Sequence, residues 1–113
     1  MIELKLIKTL EYYDVPQIIV AADTTGAQYL CILYKNDSEG GYLYLGVHMS
    51  EDRMAAFIDG QLDLRDAYTH PESVDALYLV TVKQGVLNLA SLIQPQDITE
   101  EMLPEAGYKY SIS

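Results

Sequence analysis

The sequence has few of the residues that usually support catalysis, metal binding or covalent cross-linking. It contains no tryptophan, one cysteine and two histidines among 113 residues. One cysteine cannot form a disulfide within the chain, and it cannot supply a cysteine-rich metal site. Because Cys31 lies inside the apolar run at residues 29–34, we expect a buried and inert thiol rather than a nucleophile.

Long hydrophobic runs are also missing. The run at residues 29–34 is the longest that is nearly uninterrupted, and it is far shorter than the roughly 20 residues of a membrane-spanning helix. The first residues alternate between charged and apolar types, which is not typical of a signal peptide. We therefore expect a cytoplasmic protein without a membrane partner.

Basic residues are scarce. The chain has seven lysines and arginines against seventeen aspartates and glutamates, so its formal net charge is −10. Such a charge repels phosphate backbones and disfavours direct binding of DNA or RNA. It would instead attract a basic protein partner. The charge is uneven along the chain, because residues 50–75 hold seven acids and only two bases.

The length predicts a single domain over residues 1–113 with a core that needs no metal or disulfide. Alternating apolar residues and turn signals predict strands, and helical spacing after Ser50 predicts two helices. The predicted strands cover residues 2–10, 17–22, 28–34, 42–49, 77–82, 86–93 and 107–112. We expect Pro16 to force residues 11–16 out of the first strand or to bend it.

The predicted fold class is α+β. We expect a mostly antiparallel, curled sheet or open barrel of about six to seven strands, with a central helix pair and a short C-terminal helical turn at residues 99–103. Ser50 is expected to cap the first helix, which ends at Gly60, and Asp63 to cap the second, at residues 64–69. The predicted inward residues of this pair are Met54, Phe57, Ile58, Leu62, Leu64 and Tyr68.

Candidates for catalysis are weak. His48 and His70 lack metal-ligand spacing, and a metal would need both together with carboxylates such as Asp66 or Glu72. Neighbouring acids such as Glu51 and Asp52 point in different directions on a helix, so they do not form an acid–base pair across a cleft. We expect a protein that is not an enzyme and has no cofactor, metal or catalytic residue.

Arg53 and Arg65 are the only arginines, and both lie in the acidic middle of the chain. A guanidinium can clamp a carboxylate of the same chain, such as Asp14 or an acid on a helix. Structural ties of this kind are the favoured interpretation. The alternative is that the arginines bind an anionic small ligand.

Tyrosine is abundant, with ten residues, and it suits both strands and protein interfaces. Tyr42 and Tyr44 share one face of a predicted strand whose other face already carries core residues. Either both faces are covered within the fold, or these rings belong to a dimer or partner interface. The sequence leaves these two interpretations open.

Several local patterns occur together in a fixed order. They are EYYDVP at residues 11–16, Gly26 followed by Tyr29 and Leu30, SEDRM at residues 50–54, Gly60 followed by DLRDA at residues 63–67, and Leu103 before Pro104. In this order the chain resembles a family of small uncharacterised bacterial proteins that is classed as a domain of unknown function. The resemblance implies a bacterial or phage source and supplies no catalytic residues.

Two functional hypotheses follow. The first is a non-catalytic acidic module that binds a protein partner, as an immunity protein, antitoxin, inhibitor or accessory subunit would. Its candidate contact residues are Glu51, Asp52, Asp63, Asp66, Tyr42 and Tyr44. The alternative is a sensor for a small anionic ligand, with Arg53, Arg65 and Tyr68 as its contacts. A homodimer through an exposed sheet edge or a tyrosine face is a further expectation.

Overall fold

A computed structural model describes residues 2–36, 40–73 and 75–110. Six strands form a closed barrel in chain order, and every neighbouring pair is antiparallel. The strands are β1 (Ile2–Tyr13), β2 (Val15–Ala22), β3 (Gln28–Asn36), β4 (Tyr42–Met49), β5 (Leu77–Lys83) and β6 (Val86–Leu92). Helices α1 (Glu51–Ile58) and α2 (Leu64–Thr69) connect β4 to β5, and 3-10 turns follow at Pro95–Asp97 and Glu100–Met102.

The antiparallel sheet, the helix pair and the C-terminal helical turn are confirmed, but the open barrel is wrong. Residues 2–4 of β1 pair with residues 87–89 of β6, and this pairing closes the sheet. The predicted seventh strand is also wrong over residues 107–110, which form no strand. Residues 111 and 112 of that prediction lie outside the described part of the chain.

The first strand is longer than predicted. It continues through residues 11–13, because Asp14 adopts a positive φ of 62° and turns the chain directly into β2. Three register shifts between β1 and β2 absorb the bend that Pro16 was expected to impose. The chain therefore does not leave the strand near Leu10. It continues to Tyr13 and turns at Asp14 into a bent β1–β2 hairpin.

Two apolar layers lie on opposite faces of the sheet. Successive residues of β2, β3 and β4 alternate between them, as Ile18 and Ile19 do. One layer draws on all six strands and fills the barrel; its buried members are Leu4, Ile19, Ala21, Tyr29, Cys31, Tyr44, Val80, Leu87 and Leu89. The other layer covers the outer face of the sheet.

The outer face is covered by residues 51–72, which contain α1 and α2, and by residues 95–110. Together we call these residues the outer layer. Phe57 is fully buried there and its ring stacks on Tyr110, with ring centres 6.0 Å apart. The six inward residues predicted for the helix pair all belong to this packing, either buried or partly buried against it. Ser50 also caps α1 as predicted, since its hydroxyl accepts from the Arg53 backbone N–H at 3.2 Å.

The described helices are short. In the part of the chain that the structure covers, none is long and apolar enough to cross a lipid bilayer.

Candidate interaction surface

The outer layer concentrates the negative charge of the protein. Residues 51–72 and 95–110 contain ten acids and three bases. Nine of these acids are exposed, and only Asp63 is half-buried. Because α1, α2 and the C-terminal segment pack on the same face of the barrel, the acidic stretch of the sequence remains an acidic surface of the fold.

Arg65 ties α2 to the C-terminal segment. Its Nη2 contacts both carboxylate oxygens of Glu100, at 2.6 and 2.7 Å, and its Nη1 donates to the Pro104 carbonyl at 3.0 Å. The Arg65 side chain is only 25% exposed. The predicted structural role is thus present, with Glu100 rather than Asp14 as the acid.

Arg53 ties α1 to the end of α2. Its Nη2 donates to the His70 carbonyl at 2.6 Å and to the Asp66 carbonyl at 3.2 Å. These carbonyls belong to the last turn of α2, where a cation is favourable because the helix dipole is negative at that end. Both arginines therefore hold the outer layer together and cancel part of its charge.

The four acids predicted to contact a partner fall into two groups. Glu51 and Asp52 are exposed in the first turn of α1, and Asp66 is exposed on α2 with its Oδ1 3.6 Å from His70 Nδ1. Asp63 instead works inside the fold, since Oδ1 accepts from the Arg65 backbone N–H at 2.8 Å and Oδ2 accepts from Gly107 N–H. Three of the four are thus exposed to solvent.

This division predicts different effects on stability. Replacing Asp63 with alanine should lower the free energy of unfolding by about 1–2 kcal/mol, because it removes a helix cap and leaves Gly107 without its acceptor. The matched change Asp66→Ala on the same helix should shift it by no more than about 0.5 kcal/mol. Urea denaturation followed by circular dichroism measures both; equal costs would contradict the structural role of Asp63.

The two predicted interface tyrosines lie elsewhere than expected. Tyr44 is 2% exposed and points into the barrel, where its hydroxyl donates to the Pro16 carbonyl at 2.6 Å. Tyr42 is half-buried and packs against the same interior layer. Their face of β4 turns inward because the sheet closes, so the prediction that Tyr44 contacts a partner is wrong.

Residues considered for ligand binding or catalysis are also part of the core or the scaffold. Tyr68 is buried and its hydroxyl donates to the Leu30 carbonyl at 2.6 Å. Burial raises the pKa of the Cys31 thiol to about 12, which keeps it protonated near neutral pH. His48 packs edge-on against Tyr29. Within the described residues, no three His, Cys, Asp or Glu side chains are grouped as metal ligands.

Two grooves border the outer layer. One, of about 580 Å³, lies between the end of α2 and the segment after β6, and Leu77, Ile98 and Leu103 form much of its apolar wall. The other, of about 560 Å³, runs between β2, β3 and the C-terminal segment. Neither Arg53 nor Arg65 is among the residues that line these two grooves.

Sequence reasoning missed two features of the surface. It did not assign the C-terminal segment to the acidic face, although exposed Glu101 and Glu105 add to it. It also did not expect Tyr12 and Tyr13 to be the exposed tyrosines, at 67% and 76%. The signal for the second was present, because both rings precede a turn and are followed by no apolar alternation.

A comparison with known protein families finds a match. The family described as "Family of unknown function (DUF6575)" matches residues 1–109 of the chain. This confirms the predicted resemblance to a domain of unknown function, while the bacterial source stays a prediction. No curated protein and no solved structure matches the chain.

Proposed function

We infer that this chain, which belongs to the DUF6575 family of unknown function, is a non-catalytic module that binds a basic protein partner through its outer layer. The single observation that carries the proposal is the packing of ten acids and three bases on one face of the barrel. Two of those bases, Arg53 and Arg65, are already engaged within the layer.

The physical role of this surface would be electrostatic. Exposed acids at the start of α1 and along α2 give a field of one sign, which steers a cationic partner and rejects an anionic one. Glu51 and Asp52 add to this field while they stabilise α1 at its positive end. An inhibitor, an immunity protein, an antitoxin and an accessory subunit would all use such a surface.

Apolar contact area would supply the affinity that charge alone does not. The groove of about 580 Å³ beside α2 offers such area next to the acids, since Leu77, Ile98 and Leu103 line it together with Glu72. A partner with a basic surface and an apolar side chain at its centre fits both features.

The alternative of a small anionic ligand has less support. It needs the guanidinium groups of Arg53 and Arg65, which are bonded to carbonyls and to Glu100, and the phenol of Tyr68, which is buried. A ligand that took Arg65 Nη2 would have to displace Glu100, and one that reached Tyr68 would have to open the core.

The proposal predicts that partner binding depends on where the acids lie on the surface and not only on the total negative charge. The triple variant Glu51→Gln, Asp52→Asn, Asp66→Asn should retain less of the partner when used as bait in an extract of the source cells. With the purified partner, its association should slow by about tenfold at low salt, because three steering charges are lost. Quantitative mass spectrometry and surface plasmon resonance measure the two effects.

A matched control is available on the rest of the surface. The triple variant Glu3→Gln, Asp14→Asn, Asp75→Asn makes the same change in net charge at exposed acids outside the outer layer. Asparagine also tolerates the positive φ at residue 14. The amount of partner captured and the association rate should match those of the wild-type protein. Equal losses in both triple variants, or no loss in either, would refute the acidic surface as the binding site.

A further inference from the structure

The second part of β1 is an unpaired sheet edge. After residue 4, β1 leaves β6 and pairs with β2 alone. Within residues 2–36, 40–73 and 75–110, no other backbone group bonds to the opposite edge of residues 5–13. Such an edge presents a row of N–H and C=O groups that a further strand can pair with.

This edge also carries most of the exposed apolar surface. Leu6 and Ile7 are 44% and 50% exposed, and Tyr12 and Tyr13 are 67% and 76% exposed. Successive strand residues point to opposite faces, so exposed side chains lie on both faces of the strand. Among residues 5–13 only Leu10 is half-buried, where it packs against the outer apolar layer. A cluster of this kind indicates a protein contact rather than a solvated strand.

The charge of β1 is balanced, unlike that of the whole protein. It holds two lysines and two glutamates, whereas the chain carries a net charge of −10. Two copies of this acidic molecule repel each other across most surfaces, but not where β1 meets β1. The neutral edge therefore lets a second acidic copy approach where most of the surface would repel it.

The order of residues along β1 matches an antiparallel copy of itself. Lys8 lies in the first part of the exposed segment and Glu11 in the second, with Leu6 and Ile7 before them and the two tyrosines after. Antiparallel pairing brings the lysine end of one strand to the glutamate end of the other, and aliphatic side chains to tyrosine rings. Parallel pairing would set like charges side by side.

We propose that β1 pairs antiparallel with β1 of a second copy and forms a two-fold symmetric dimer. Each copy contributes the same edge, so the contact is closed and does not propagate into fibres. Lys5 and Lys8 oppose pairing with an arbitrary strand, whereas Glu11 of the matched copy lies near Lys8. The dimer depends on β1 alone and stands whether or not the outer layer binds a partner.

The pairing of Lys8 with Glu11 can be tested by reversing the charge of each residue. Lys8→Glu places glutamate near Glu11 of the other copy, and Glu11→Lys places lysine near Lys8. Each change acts twice in a symmetric dimer, so each variant should raise the dimer dissociation constant by about tenfold or more. An equimolar mixture of the two variants should form a heterodimer of near wild-type affinity. Native mass spectrometry and sedimentation equilibrium distinguish these species.

Salt provides a second measurement if Glu11→Lys, which loses a hydrogen bond from Tyr108, does not fold. Added salt screens the general repulsion between two copies of charge −10 in both proteins. It also screens the Lys8–Glu11 attraction in the wild-type dimer but a local repulsion in Lys8→Glu, so salt should strengthen the Lys8→Glu dimer more than the wild-type dimer. The control Lys35→Glu makes the same charge change at an exposed position of β3. It should dimerise like the wild-type protein.

Three results would overturn the proposal. One is a purified wild-type chain that stays monomeric up to about 1 mM, as it would if the edge served a peptide of another protein. Another is equal weakening by Lys8→Glu and Lys35→Glu. The third is an equal salt dependence of dimerisation in the wild-type protein and in Lys8→Glu.

Discussion

Replacing Phe57 with alanine should lower the free energy of unfolding by about 3–5 kcal/mol. Phe57 is the only phenylalanine in the chain and is fully buried between α1 and the sheet, with its ring stacked on Tyr110. Its removal leaves a cavity and cancels a contact that holds the C-terminal segment on the outer layer. A loss of this size is a large share of the roughly 5–15 kcal/mol that stabilises a typical domain.

The measurement is urea denaturation followed by circular dichroism or tyrosine fluorescence, since the chain has no tryptophan. Leu92→Ala is the control, because Leu92 is 43% exposed and should cost less than about 1 kcal/mol. Phe57→Leu keeps much of the volume and should fall between the two. A cost for Phe57→Ala no greater than that for Leu92→Ala would contradict the packing described for α1.

Phe57 also connects stability to the proposed function. Phe57 anchors α1 to the sheet, and the first turn of α1 carries Glu51 and Asp52. A variant that loosens α1 should therefore lose partner capture without any change of charge. For this reason each charge variant must be compared at equal folded fraction.

Local patterns predicted the helix pair of the outer layer well. Ser50, Asp63 and the spacing of Phe57 and Leu64 place the helix pair correctly, since caps and apolar stripes act within a few residues of sequence. The strand limits at residues 42–49 also agree with β4. All of these features are determined by residues that are close to one another in the sequence.

The closure of the barrel and the burial of Tyr44 could not be predicted in the same way. Closure depends on β1 pairing with β6, some 85 residues further along the chain, and no local pattern encodes which strand meets which. Alternation showed that Tyr42 and Tyr44 share a face, but an exposed face and a barrel interior have the same period. The candidate contact residues changed accordingly, because the tyrosines of β4 were removed and the exposed acids were kept.

Gly46 lies at a tightly packed position inside the barrel. It is buried on β4, and a Cβ at this position would lie 2.9 Å from Val80 Cγ2 and 3.3 Å from Cys31 Sγ. Gly46→Ala should therefore lower the free energy of unfolding by about 1–3 kcal/mol, although alanine suits a strand better than glycine does. Denaturant unfolding monitored by circular dichroism measures this cost.

A double-mutant cycle separates crowding from other effects of the substitution. Val80→Ala removes the methyl group nearest to the new Cβ, so the cost of Gly46→Ala should fall by about 1 kcal/mol in that background. Gly41→Ala is an unsuitable control, because its Cβ would meet the Val82 carbonyl at 2.3 Å. Gly26→Ala is the control, because a Cβ at residue 26 has open space and its cost comes only from the φ of 90°. That cost should be the same with and without Val80→Ala. If Val80→Ala leaves the cost of Gly46→Ala unchanged, β4 and β5 do not meet inside the barrel as the structure places them.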